Sequence, residues 1–141
     1  MILVVDASVA LKWFLNVRDA ESDQDRALAL LNGIGDGSIQ LVQPVHFIAE
    51  VTAVLAREKP NGGINDLLDL MDIECHIVET PETYASALTL AVRYQQHLFD
   101  TLYHAVALQT AGATLVTADR RYFVKARREG QMILLADWSP G

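Results

Sequence analysis

Short apolar runs alternate along the chain with longer segments whose apolar positions recur at intervals of three and four. Residues 2–5 form an apolar run rich in β-branched side chains, which predicts a buried strand. Asp6-Ala7-Ser8 then supplies a helix-start signal, and a helix is expected over 9–15. A polar stretch over 16–25 leads into a second helix, 26–31, closed by Gly33 and Gly35. Residues 39–42 read as a strand, and Pro44 opens a helix to about Glu58. Pro60-Asn61-Gly62-Gly63 breaks the chain before a further helix over 64–73. A strand over 75–78, helices over 81–96 and 99–111, a strand over 114–117, a helix over 119–128 and a strand over 132–135 complete the pattern. Strands that alternate with helices and are apolar enough to be covered on both faces predict an α/β sandwich around a mainly parallel sheet.

Composition narrows this picture. The 141 residues are 51% hydrophobic and 21% charged, which excludes a disordered or collagen-like chain. There is no internal repeat or low-complexity segment, and the break at Pro60–Gly63 lies too near the middle for a linker, so one domain over 1–141 is expected. No apolar run approaches the roughly 20 residues that span a bilayer. The opening MILVVDASVALKWFL has an acid at position 6 and no basic leader, unlike a secretory signal. The single Cys75 excludes an internal disulfide framework, and the expected compartment is the cytoplasm.

The net charge of −7 argues against a protein that coats nucleic-acid phosphates with Lys and Arg. It does not exclude an enzyme that reaches phosphate through metal ions. Arg120, Arg121, Lys125, Arg127 and Arg128 crowd into nine positions, either as a solvated helix face or as a phosphate-attracting edge.

Three acids stand alone in apolar surroundings. Asp6 is the only charged side chain before Lys12, Glu50 the only one between Asp36 and Arg57, and Asp100 the only one between Arg93 and Asp119, histidines aside. Burying an acid costs several kcal/mol, about, unless it is paired, hydrogen-bonded or bound to metal. Asp6, Asp100 and Asp119 each have a plain alternative as helix caps. Glu50 has a weaker one, a salt bridge to Arg57 or Arg93, because Phe47 and Val54 flank it on its own helix face. Sites in open α/β sheets form outside the carboxyl ends of the strands. Asp6 and Asp119 both follow strands there, and Glu50 and Asp100 can lean over the same edge. Clustered carboxylates repel, a divalent cation relieves that repulsion, and an all-oxygen set selects Mg²⁺ or Mn²⁺ over zinc.

Four strings carry a resemblance to a known family. They are VVDASVALKWF around Asp6 and Ser8, PVHFIAEVTAVL around Glu50, FDTLYHAVAL around Asp100, and LVTADRRY with Thr117 and Asp119. In this order and at these distances they resemble the PIN-domain ribonucleases, in particular the VapC-type toxins of toxin–antitoxin pairs. Ala53, Thr101 and His104 depart from the family's usual residues, but no carboxylate is missing. The resemblance implies a PIN-like α/β/α sandwich with a five-stranded sheet. It also implies a Mg²⁺- or Mn²⁺-dependent endoribonuclease that leaves 5′-phosphate and 3′-hydroxyl ends. Asp6, Asp100 and Asp119 would hold an ion, with Glu50 on a second ion or a water, and Ser8 and Thr117 would orient ligands. The implied partners are RNA, a homodimer mate and a VapB-type antitoxin, with no membrane.

Other residues are weighed beside these. Lys12, Arg120 and Arg121 are the candidates for substrate phosphate, against plain solvent exposure. His46 and His104 lie four residues from Glu50 and Asp100, so a mixed His/carboxylate site is conceivable, with helix packing the default. His76 and His97 carry no signal. Cys75 reads as a small core residue. Trp13 and Phe14 read as packing before RNA stacking, and residues 13–15 and 64–71 as partner surface. Two further functions compete. One is an aspartyl-phosphate phosphotransferase or phosphatase with Asp6 as nucleophile, which Ser8 disfavours by standing where a second acid is usual. The other is a receiver-like metal-binding interaction module without catalysis.

Overall fold

A computed structural model describes residues 1–15 and 23–141. Five parallel strands lie in the order β3-β2-β1-β4-β5: β1 Ile2–Val5, β2 Gln40–Gln43, β3 His76–Ile77, β4 Ala113–Thr117 and β5 Met132–Leu134. Helices α1 Ala7–Ala10, α2 Gln24–Gly35, α3 Phe47–Glu58, α4 Gly63–Met71, α5 Pro81–Tyr94, α6 Leu98–Gln109 and α7 Arg120–Ala126 connect and cover them. The architecture is the expected α/β/α sandwich. Strand β1 is central, and its Leu3, Val4 and Val5 are almost wholly buried. Helix α6 packs on β1, β2 and β4, with every side chain from Thr101 to Ala107 buried.

Local chemistry sets the element ends. Thr80 caps α5 by accepting the Thr83 N–H at 3.1 Å, and Pro81 occupies the first turn, where its missing N–H has no bond to lose. Gly33 does not close α2 as expected; the helix runs on to Gly35. Gly33 serves close approach instead, since a Cβ there would meet Ile39 Cδ1 at 2.5 Å.

Several expected boundaries move. The helix placed at 9–15 is the four-residue α1 followed by a 3-10 turn, Leu11–Trp13. Pro44 does not open α3 directly: a turn intervenes, and Phe47 N–H donates to Pro44 C=O at 3.3 Å. Strand β3 is only two residues long and exposed on both, so it is an edge strand rather than one covered on two faces. Of the polar stretch 16–25, residues 16–22 lie outside those described, and α2 begins inside the remainder. Trp13 is buried, with its indole N–H donating to Ala27 C=O at 2.8 Å, and Phe14 and Leu15 pack on the core. That corrects the reading of 13–15 as partner surface. By contrast Ile64, Leu68 and Met71 of α4 are all exposed. Among the described residues no helix is long and apolar enough to cross a membrane.

Candidate active site

Because β1 and β4 are neighbours in parallel register, their carboxyl ends lie side by side at the centre of the sheet. Asp6 directly follows β1, and Asp119 stands two residues beyond β4. Two hydroxyls knit these ends together. Ser8 Oγ and Thr117 Oγ1 each donate to one oxygen of the Asp6 carboxylate. Ser8 Oγ in turn accepts the Ala118 N–H at 3.1 Å, and Thr117 Oγ1 accepts the Asp119 N–H at 3.0 Å. The spacings Asp-x-Ser and Thr-x-Asp therefore place each hydroxyl between a carboxylate and the β4–α7 turn. Asp6 is the N-cap residue of α1, but its two oxygens are taken by the Ser8 and Thr117 hydroxyls, with the Val9 N–H the smallest influence on its carboxyl, so capping is not its main engagement. Asp119 does cap α7, its Oδ1 accepting the Tyr122 N–H at 3.0 Å.

The other two acids come from helices. Glu50 lies in the first turn of α3, half-buried. Its Oε1 accepts from the Tyr103 hydroxyl of α6 at 3.3 Å, and its Oε2 lies 3.6 Å from His46 Nε2. The alternative of a salt bridge to arginine fails: Arg57 pairs with Glu58 at 3.1 Å and Arg93 with Glu129. Asp100 is in the first turn of α6 but does not cap it; the His97 ring does, accepting the Phe99 N–H at 3.1 Å. Asp100 Oδ2 accepts instead from Gln96 Nε2 at 2.8 Å, and Gln96 Oε1 accepts from Lys125 Nζ at 3.1 Å.

The electrostatics unite the four. Burial pushes the Asp6 carboxyl up to about 6, the Ser8 and Thr117 hydroxyls oppose the rise, and the Asp119 charge adds to it. Burial also pushes Glu50 up to about 7, with further lift from Asp100 and Asp6 against the opposing Tyr103 hydroxyl. The Tyr103 phenol is raised as well, by burial and then by Glu50, Asp6 and Asp100. The carboxylates thus feel one another across one edge, and among the described residues no Lys or Arg pairs with any of the four. As the side chains stand, no three His, Cys, Asp or Glu among the described residues are placed to hold a metal ion. The donor set nonetheless fits a hard divalent cation in its chemistry: oxygen ligands, negative charge left uncompensated, and hydroxyls already orienting a carboxylate. Loading such an ion would require these side chains to turn towards it.

The remaining candidates separate. Lys12 and Arg120 line one small cavity together with Thr117; Arg121 is exposed and does not line it. His104 is fully buried and turned to the Tyr122 hydroxyl at 2.8 Å and Gly130 C=O at 2.9 Å, which removes it as a metal ligand for Asp100. Burial lowers the His46 pKa, and His46 Nε2 donates to Phe99 C=O at 2.8 Å. Burial raises the Cys75 thiol to about 11, so it is no nucleophile near neutral pH. Of the crowded cations, Lys125 is tied to Tyr94 C=O and Gln96, so the solvated-face reading fails for it; Arg128 is exposed, with its Nε donating to the Tyr94 hydroxyl. Gln43, Gln96 and Lys125 are structural supports of the site that no local motif marks.

Comparison with known proteins bears on the family and the fold. The PIN domain family matches residues 3–129 of the chain. The fold resembles that in the crystal structure of VapBC2 from Rickettsia felis bound to a DNA fragment from its promoter. That match has a TM-score of 0.62 and 17% identity, and covers 95% of this chain and 97% of that one. No curated protein sequence matches. The match over nearly the whole chain, with its motifs converging on one sheet edge, makes this chain a member of the PIN domain family.

Proposed function

We propose that the chain is a metal-dependent endoribonuclease, a single nuclease domain over 1–141 that acts in the cytoplasm as the VapC-type toxin of a toxin–antitoxin pair. The observation that carries this reading is the placement of Asp6 and Asp119 just beyond the neighbouring carboxyl ends of β1 and β4, with Glu50 and Asp100 brought to the same edge by the first turns of α3 and α6. Asp6, Asp100 and Asp119 would hold Mg²⁺ or Mn²⁺, with Glu50 on a second ion or a bound water. The bound ion supplies charge stabilisation at the scissile phosphate and a lowered pKa for water. Ser8 and Thr117 hold Asp6 in orientation, Gln96 holds Asp100, and Tyr103 holds Glu50. Addition of water at phosphorus with loss of the 3′-oxygen leaves 5′-phosphate and 3′-hydroxyl ends, and no side-chain base is assigned.

The aspartyl-phosphate alternative is less well supported. Both Asp6 oxygens already accept hydroxyl hydrogen bonds, and Ser8 occupies the place of a second acid. Partners follow from the same reading: a VapB-type antitoxin and a homodimer mate. Ile64, Leu68 and Met71 on α4, and Leu88 and Val92 on α5, offer exposed apolar surface for them.

The test is cleavage of a mixed RNA pool with Mg²⁺ or Mn²⁺, an EDTA control, and the Asp100→Asn variant alongside. Metal-dependent cleavage lost in the variant, with 5′-phosphate products, supports the reading. Equal activity in both proteins defeats it.

A further inference from the structure

Lys12 and Arg120 come from distant parts of the chain, the first from the 3-10 turn after α1 and the second from the start of α7. They meet at a cavity of about 90 Å³ whose wall includes Thr117 and Ala118. Most described cations are engaged elsewhere: Arg57 with Glu58, Lys59 with Asp66, Arg93 with Glu129, and Lys125 and Arg128 with groups of α5 or its C-terminal end. Lys12 and Arg120 have no ion pair or hydrogen bond through their charged groups among the described residues. In a chain of net charge −7, two free cations converging on one cavity is an uneven distribution of charge.

The position matters as much as the charge. Thr117 forms part of the cavity wall, and its hydroxyl donates to Asp6. Arg120 follows Asp119 in sequence. The cavity therefore adjoins the acidic edge and shares a residue with it. One acid, Asp23, also lines it, its carboxylate 3.9 Å from Arg26 Nε, which leaves two cations of the lining against one acid. The cavity is small, about 90 Å³, and opens to solvent, so a group the size of a phosphate can enter it.

We propose that this cavity, between Lys12 and Arg120 and beside Thr117, is a subsite for an RNA phosphate next to the one that is cut. The proposal rests on the ribonuclease reading and names how an acidic protein grips a polyanion. It does so by two placed cations rather than a basic coat. Arg121, though adjacent in sequence, takes no part.

The test uses full-length protein carrying Asp100→Asn in EDTA, so that binding is measured without cleavage. Fluorescence anisotropy with a short mixed-sequence single-stranded RNA is followed as salt is raised. Lys12→Ala and Arg120→Ala should each weaken binding about tenfold and lower the log–log salt slope by about 0.7. Lys12→Arg should retain binding, and Arg121→Ala and Arg127→Ala should match the parent. A parent that binds no RNA, or an Arg121→Ala loss equal to that of Arg120→Ala, overturns the proposal. Should an alanine variant fold poorly, inorganic phosphate titrated into the parent should shift the Thr117, Ala118 and Arg120 amide resonances, and unmoved resonances would also overturn it. RNA binding in this pattern without metal-dependent cleavage by the unmodified protein supports the subsite and defeats the catalytic reading, so the two failures are distinct.

Discussion

The side-chain amide of Gln43 stands opposite the backbone of Val5 as a second peptide group would. Val5 N–H donates to Gln43 Oε1 at 2.9 Å, and Gln43 Nε2 donates to Val5 C=O at 2.7 Å. The registered pairing of β1 with β2 runs through Ile2–Gln40 and Leu3–Leu41. Gln43 thus carries the hydrogen bonding between these strands to the residue just before Asp6. The amide is fully buried, so both of its bonds count.

Gln43→Leu keeps the volume and removes both partners of Val5. Two buried backbone groups would be left unsatisfied, at about 1–3 kcal/mol each. A loss of roughly 2–6 kcal/mol is expected in urea denaturation. Cleavage activity should fall further than the stability loss explains, because the end of β1 that places Asp6 is loosened. A variant as stable as the parent would remove Gln43 from the support of the site.

Thr117→Val removes the hydroxyl that joins Asp6 to the Asp119 N–H. The affinity for Mn²⁺ or Mg²⁺, read by calorimetry, should drop about 10- to 100-fold, as for other residues that orient metal ligands. Ser8→Ala should act in the same direction through the other Asp6 oxygen. Unchanged metal affinity in both variants would mean the hydroxyls serve only the fold.

These supports mark the limit of what is legible in the sequence. Asp6 and Asp119 declare themselves because each follows an apolar strand, and the edge where a parallel sheet gathers such residues is fixed by topology. Glu50 declares itself because Phe47 and Val54 flank it on its own helix face, and the structure buries Phe47 fully and Val54 in part. Gln43 and Lys125 do not, since each acts across the fold on a group that no local spacing connects to it; Gln96 stands only four residues before Asp100, but an amide in the turn ahead of a helix carries no signal of that bond. His97 is likewise silent, because histidine is an unusual helix cap. Lys12 and Arg120 are visible only as cations; their meeting depends on how α1 and α7 pack around the sheet.

Stability in EDTA should fall as pH rises from about 4 to 7. Asp6 and Glu50 have folded-state pKa values of about 6 and 7, above those of the unfolded chain. In that window the folded protein keeps protons that the unfolded chain has lost, so the stabilisation present below pH 4 fades as pH climbs through 6 and 7. Asp6 contributes on the order of 2 kcal/mol, and the half-exposed Glu50 less than its shift implies. Mg²⁺ or Mn²⁺ should raise the melting temperature more at pH 7.5 than at pH 5, where Asp6 and Glu50 hold protons. Thermal denaturation at both pH values, with and without metal, reads this directly. A flat EDTA profile would mean that these carboxylates are solvated rather than held against one another.

The buried pair of His104 and Tyr122 gives the last prediction. His104 Nε2 faces Gly130 C=O and must donate, which leaves Nδ1 to accept from the Tyr122 hydroxyl in the neutral imidazole. Burial lowers the His104 pKa and favours that neutral form. Tyr122 also donates its backbone N–H to Asp119, so the pair anchors the first turn of α7 behind that acid. Tyr122→Phe leaves Nδ1 bare at the cost of one buried hydrogen bond, about 1–3 kcal/mol. His104→Phe removes the Nδ1 acceptor and the Nε2 donor together, stranding the tyrosine hydroxyl and the Gly130 carbonyl, and should cost more. The double variant should lose less than the sum of the two, since Phe at both positions strands only the Gly130 carbonyl. Urea denaturation of the four proteins closes this cycle, and strict additivity would show that the two side chains do not support each other.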